Sequence, residues 1–185
     1  MMSPTHVVVG PILAIPVLLL SPEYAVTAAV AAIAGGVFPD FDLVIGEHRR
    51  TLHFPVGYWA LALPTVGWAL LDPGAASIAA ALFLSAAGIH SLQDWFGAAP
   101  EARPWESTSN QAVYLHITGE WLSPKRWVRY DGAPEDLALT LALGVPGIML
   151  YESPVPAMLT VALIVGIVYV LVRKRLPRYV AAFVD

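Results

Sequence analysis

The stretch 75–97, AASIAAALFLSAAGIHSLQDWFG, carries no ionisable side chain before His90, and then sets His90 and Asp94 at i,i+4 near its end. An apolar run of this length matches the ~20 residues that cross a bilayer as a helix. The i,i+4 spacing stacks His90 and Asp94 on one helix face, where they can share a metal ion. Ionisable groups in or near hydrocarbon are costly unless paired or coordinated, so the pair should face the interior of a bundle. The same segment therefore reads as a membrane helix and as one side of a polar site.

Outward from it, apolar runs occupy 5–20, 23–38, 55–71, 135–151 and 154–172, giving about six spans in all. The 185 residues are 57% hydrophobic and 13% charged, with a mean hydropathy of +0.66, a balance that points to a bilayer protein. The first two spans are short for a full crossing. No basic stretch of the signal-peptide kind precedes the first span, so it is expected to be retained. The expected architecture is all-α: a polytopic membrane bundle, 1–185 forming one membrane domain, with 98–134 as a cytoplasmic interfacial segment between the fourth and fifth spans.

Charge sets the orientation. The ten Lys and Arg residues are Arg49 and Arg50; Arg103, Lys125, Arg126 and Arg129; and Arg173, Lys174, Arg175 and Arg178. These clusters alternate with the spans so that all fall on one side, which by the positive-inside rule is cytoplasmic. The chain is then expected to be a multi-pass protein of the cytoplasmic (inner) membrane of the cell, with both termini cytoplasmic. The turns of the other side, Ser21-Pro22-Glu23, Leu71-Asp72-Pro73-Gly74 and Glu152-Ser153-Pro154, carry acids only. Each reads as a helix start, with Ser or Asp as N-cap and Pro at the first helical position. The basic face suits anionic lipid headgroups, and no nucleic-acid partner is expected. In 98–134, Trp105, Tyr114, Trp121, Trp127 and Tyr130 suit the headgroup layer, and Gln111 to Ile117 fits either strand or helix.

The chain has no cysteine, which excludes disulfides, thiolate metal sites and iron–sulfur clusters and leaves His and carboxylate as strong ligands. Such residues gather on the cytoplasmic side. His6 lies in the first turn of the first span, behind Ser3 as cap and Pro4. Asp40 and Asp42 follow Pro39, which should end the second span. His48 and His53 share the next loop, and His90 with Asp94 closes the fourth span. Arg49 or Arg50 offers a bidentate contact to phosphate. Each residue also has a plainer use, as a helix-end acid, a positive-inside anchor or a packed His–Asp pair; together on one face they point to a divalent cation. Gly10, Gly35, Gly36 and Gly88 near these ends permit close helix approach.

The ordered set Thr5-His6, Pro39-Asp40-Phe41-Asp42, His48-Arg49-x-x-x-His53 and His90-x-x-x-Asp94 resembles the YdjM-like, LexA-regulated family of membrane-bound metal-dependent hydrolases. The stretch from Arg103 to Asp136 resembles a subgroup associated with halophilic archaea. The family's His-Arg-Gly-x-Thr-His-Ser element is altered, with Arg50, Leu52 and Phe54 at its Gly, Thr and Ser positions. Thr51 or Ser91 is then the candidate to replace the lost hydroxyls.

The resemblance implies metal-dependent hydrolysis. The set His6, Asp40, Asp42, His48, His53, His90 and Asp94 exceeds one tetrahedral site and suits one or two ions, Zn²⁺ or Mn²⁺; a pair of ions would lie ~3.5–4 Å apart. In this scheme Asp40, Asp42, His53, His90 and Asp94 are ligands. His6 and His48 complete the shell or shuttle protons, and Arg49 holds phosphate, so that His48, Arg49 and His6 are the catalytic candidates. The expected substrate is a phosphoester or lipid headgroup at the cytoplasmic face, with His116, Glu106 and Glu120 as further contributors. Two other classes compete. A metal-ion or solute carrier would place ionisable groups near the bilayer midplane, where these spans are apolar; a non-catalytic protein would use the metal only to staple helix ends.

Overall fold

The hydrophobic runs fold as helices. The computed structural model describes residues 1–177, so Arg178 of the third basic cluster lies outside the described residues. In chain order the helices are α1 (Ser3–Leu13), α2 (Ile15–Leu20), α3 (Ala25–Val37), α4 (Gly57–Leu71), α5 (Ala75–Phe96), α6 (Pro134–Leu150) and α7 (Val155–Val172), with a two-stranded hairpin of β1 (Val113–Leu115) and β2 (Glu120–Leu122) between α5 and α6.

Proline sets the boundaries. The first apolar run breaks at Ala14 into α1 and α2, because Pro16 has no N–H to give the Ile12 carbonyl. Pro39 ends α3, and the chain continues as a tighter 3-10 turn over Phe38–Leu43. The three acidic turns differ from expectation in their caps: Ser21 makes no side-chain cap bond, and Pro73 and Pro154 stand outside α5 and α7. At α5 the cap is Gly74, whose N–H donates to Ser77 Oγ at 3.1 Å while that hydroxyl reaches the Asp72 carbonyl at 2.8 Å. Ser3 is likewise the first residue of α1, not its cap. Its hydroxyl donates to Asp40 Oδ2 at 2.6 Å, since a carboxylate is the stronger acceptor.

Four stretches, Ser3–Leu20, Pro22–Leu43, Ala75–Phe96 and Val155–Val172, are long and apolar enough to cross a membrane, while α4 and α6 are shorter, at 15 and 17 residues. α1 packs against α3, α6 and α7; α5 packs against α3 and α4. Outward faces stay apolar, as at Leu63, Leu71, Met149 and Leu171. The interior is built from small side chains, with Ala28, Ala29, Val8, Val155 and Leu159 fully buried in one cluster.

Two glycines bring the helix backbones together. A Cβ on Gly35 would fall 2.0 Å from the Phe83 carbonyl oxygen of α5, and one on Gly36 would fall 2.6 Å from the His6 carbonyl oxygen of α1. Only a residue without a side chain lets α3 lie this close to both neighbours.

The segment 98–134 closes the polar end of the bundle. β1 and β2 pair antiparallel, with Tyr114 opposite Trp121, and the strand reading of Gln111 to Ile117 applies over Val113–Leu115. The chain then returns across the end of α5: Lys125, Arg126 and Trp127 N–H groups donate to the Trp95, Gly97 and Phe96 carbonyls, satisfying acceptors that a helix C-terminus leaves free. At the start of α6, buried Asp136 accepts from Met2 N at 2.9 Å, Gly132 N at 3.0 Å and Thr5 Oγ1 at 2.6 Å, tying α6 to α1.

Candidate metal centre

Each sequence motif reaches the site on a different element. α5 supplies His90 and Asp94 from one buried face. The 3-10 turn after α3 carries Asp40 and Asp42, α1 carries His6, and the loop to α4 folds back with His48, Arg49 and His53. That loop is fixed by Tyr114 N–H donating to the Arg49 carbonyl at 3.0 Å and by the Tyr58 hydroxyl donating to the Leu52 carbonyl at 2.6 Å. Arg49 itself sits in the left-handed region at φ 61°, which turns its side chain inward while Arg50 remains outside, over the Tyr114 ring and against Glu47.

One ligand atom each from Asp40, His53, His90 and Asp94 lies within 4.8 Å of all the others, and His53, His90 and Asp94 are buried. His53 Nε2 is 3.1 Å from His90 Nε2 and 3.2 Å from Asp94 Oδ2. His90 Nε2 is 3.5 Å from Asp94 Oδ2 and 3.4 Å from Asp40 Oδ1. The other ring nitrogens are committed. His90 Nδ1–H donates to the Gly36 carbonyl at 2.6 Å, an oxygen that can only accept. His53 Nδ1–H donates to Asp42 Oδ2 at 2.7 Å, and His48 Nδ1–H donates to Asp42 Oδ1 at 2.8 Å.

Two neutral imidazoles so arranged turn Nε2 lone pairs at each other. They make that contact only across a shared proton or a shared cation. Ligand bonds of about 2.0–2.2 Å put neighbouring donors of a tetrahedral ion about 3.3–3.6 Å apart; the separations of 3.4 and 3.5 Å lie inside that range and those of 3.1 and 3.2 Å just below it. The buried His/Asp cluster can hold a metal ion.

His6 and Arg49 flank it. His6 stacks on His90 with ring centroids 3.7 Å apart and is held by Gln93 Oε1, which accepts from Nδ1–H at 3.0 Å. Its Nε2 lies 3.2 Å from Asp94 Oδ1 yet makes no hydrogen bond. Arg49, only 4% exposed, places Nε 3.1 Å from Asp94 Oδ2 and donates from Nη1 to the Ala98 carbonyl, and the Met1 ammonium donates to Asp94 Oδ1, so the buried Asp94 carboxylate has two positively charged partners.

A cavity of about 430 Å³ opens beside these groups, bounded by Asp40, His48, Arg49 and Asp94 on one side and by Asp131, Tyr169 and Arg173 on the other. Arg173 is braced by Asp131, with Nε–Oδ2 2.8 Å and Nη2–Oδ1 3.0 Å. That far wall was not among the sequence candidates: Arg173 stood only as a topology marker, and Gln93 and the Gly36 carbonyl gave no signal beyond sharing a helix end with His90.

The lesser candidates lie elsewhere. His116 stacks on Phe54, Glu106 pairs with Arg103, and Glu120 is exposed at the start of β2. The Thr51 hydroxyl accepts from Glu47 N–H at 2.8 Å and Ser91 donates to the Ala87 carbonyl at 3.2 Å, so each hydroxyl serves its own element. Comparison of the chain with protein-family models, curated proteins and solved structures gives no match.

Proposed function

We propose that this chain is a membrane-embedded, metal-dependent hydrolase acting on a phosphoester or lipid headgroup at the cytoplasmic face. The observation that carries the reading is the facing pair of His53 and His90 Nε2 atoms, 3.1 Å apart with both Nδ1 protons committed, beside Asp40 and Asp94. Two imidazoles and two carboxylates without thiolate suit Zn²⁺ or Mn²⁺. Bound there, the cation supplies Lewis-acid polarisation of a phosphoryl or acyl group.

The chain's own groups then divide the work. Asp42 and the Gly36 carbonyl fix the tautomer and tilt of His53 and His90, as outer partners of ligating histidines do. A second close group, Asp42, His48 and His53, uses the Nδ1 atoms already hydrogen-bonded at 2.8 and 2.7 Å, which favours one ion over two. His48 is a quarter exposed, lines the cavity and keeps Nε2 for proton transfer. Arg49 neutralises Asp94 and borders the cavity, where a phosphoryl group would enter.

Placement supports a membrane substrate. The basic clusters, the apolar outward helix faces and the polar cavity at one end of the bundle fit about six spans with both termini inside, and the resemblance of the ordered motifs to the YdjM-like family points the same way. The test is metal content and phosphate release. Protein purified without chelator should hold one equivalent of Zn²⁺ or Mn²⁺, lost in His90→Ala and in Asp94→Ala, and should release phosphate from lipid or soluble phosphoesters. A metal-free wild type refutes the centre; one bound ion with no ester cleaved leaves the ion as a staple between helix ends.

A further inference from the structure

Ala157, Val161, Val165, Tyr169 and Arg173 follow one another at i,i+4, a row that winds about 40° per step around α7 and its C-terminal extension. The first three line an apolar groove of about 560 Å³ whose other walls are Pro4 and Val7 of α1 and Ile33 and Val37 of α3. Val165, Tyr169 and Arg173 line the polar cavity over Asp40, His48 and Asp94. Ser3, Pro4 and Val165 line both, so the two spaces adjoin at these residues.

All three walls change character in the same direction. α1 passes from Val7 to Ser3, α3 and the 3-10 turn after it from Val37 to Asp40, and α7 from Val165 to Tyr169. Beside Ala157–Val165 the groove covers about 12 Å of helix, less than half of the ~30 Å hydrocarbon layer. Val161 and Val165 are 60% and 50% exposed on the outer side, so the groove is open laterally.

The occupant follows from this grading. A purely polar guest leaves the groove unmatched, and a purely apolar one leaves the cavity unmatched. A peptide segment would bring backbone N–H and C=O groups against helices whose own are satisfied, which is costly in hydrocarbon. An alkyl chain has no such groups.

Resting on the hydrolase reading above, we propose that the substrate is a membrane amphiphile whose phosphoester head enters the cavity beside Asp40 and Asp94 and whose alkyl chain lies in the groove between α1, α3 and α7. It reaches the site sideways from the bilayer, with the chain aligning the head. Binding energy from the chain then orients the reacting group.

The experiment is photolabelling of the full-length, Zn²⁺-loaded protein in phosphatidylcholine vesicles with a long-chain alkyl phosphate carrying a diazirine in mid-chain, followed by peptide mapping. Label is expected to concentrate on 157–165 and around Val7, and to fall about tenfold in Val161→Trp, a substitution at an exposed position. Leu63→Trp, on the exposed face of distant α4, should leave it unchanged, and a diazirine alkane without phosphate should label α7 no more than α4. Even labelling of all outward helices, persistence in Val161→Trp, or equal labelling by the headless probe overturns the groove. Phosphate release from the same alkyl phosphate is scored separately. Release without α7 labelling overturns the groove and keeps the hydrolase; labelling without release keeps the groove and overturns the hydrolase.

Discussion

Asp42→Asn separates a residue that orients a ligand from one that ligates. Asp42 is fully buried, and its oxygens accept from His53 Nδ1 at 2.7 Å, His48 Nδ1 at 2.8 Å and Leu52 N at 3.3 Å. All three partners donate. Asn keeps one acceptor oxygen and turns an NH₂ group toward the remaining donors. If that group faces His53, the ring must accept at Nδ1 and carry its proton on Nε2, where it points at His90 Nε2 3.1 Å away and can no longer ligate. Loss of such an outer partner costs about 10–100-fold in metal affinity, or about 1.4–2.8 kcal/mol. Competition between the purified protein in detergent and a colorimetric Zn²⁺ chelator should therefore show a Kd raised by that factor with one ion still bound at saturation. An affinity within about threefold of wild type refutes the orienting role. A fall in the number of ions bound refutes the single-ion assignment and makes Asp42 a ligand.

Three further outcomes follow from the packing and topology. Gly35→Ala puts a Cβ against the Phe83 carbonyl and should lower stability by about 1–3 kcal/mol, whereas Gly67→Ala on α4 meets nothing within 4 Å and should raise it by about 0.5–1 kcal/mol; thermal unfolding in one detergent compares them, and equal midpoints would contradict the close approach of α3 and α5. Asp136→Ala strands the Met2 and Gly132 N–H groups in the interior, at about 1–3 kcal/mol for each unsatisfied group, while the Thr5 hydroxyl keeps Thr140 Oγ1 at 2.8 Å. Denaturant unfolding should show a loss well beyond that of Asp72→Ala at the exposed outer turn, and a loss no larger would refute the anchoring role. Because the chain has no native cysteine, single substitutions map orientation directly: an impermeant maleimide should label Asp72→Cys and Glu152→Cys on intact cells, and Glu47→Cys and Lys125→Cys only after lysis. Labelling of Lys125→Cys on intact cells reverses the proposed topology.

Helix positions were legible because hydropathy and proline act locally. The run 55–71 becomes Gly57–Leu71, 75–97 becomes Ala75–Phe96, and 154–172 becomes Val155–Val172. The break at Ala14 was less visible, since Pro16 lies inside an unbroken apolar run and only the geometry of the preceding carbonyls shows where the helix yields. Ser21 and Pro22 hold the predicted cap and first helical positions, whereas the caps predicted before α5 and α7 failed for a related reason. Ser and Pro satisfy the local pattern, but the backbone groups at α5 found Gly74 and Ser77 instead.

The candidate site was legible as a set of residue types on one face. The i,i+4 pair on α5, the Pro39-terminated helix and the His48/His53 loop each follow from local rules. Which residue does what was not. Arg49 and Arg50 are neighbours with equal prior use, and one left-handed backbone residue sends the first inward and leaves the second on Tyr114. Asp40 and Asp42 look equivalent in sequence, yet Asp42 takes the Nδ1 protons of two histidines while Asp40 lies by His90 Nε2.

The sequence by itself determined where the helices run, that cysteine chemistry is absent, and that the His and Asp residues fall with the basic clusters at corresponding span ends. Those properties depend on composition and on spacing within a single element. Only the tertiary structure decided which imidazole nitrogens are left free, that Gln93 and the Gly36 carbonyl hold the rings, and that α7 carries an apolar face into the polar cavity. These depend on contacts between segments distant in the chain, which the close approach of α3 to α1 and α5 at Gly35 and Gly36 brings together.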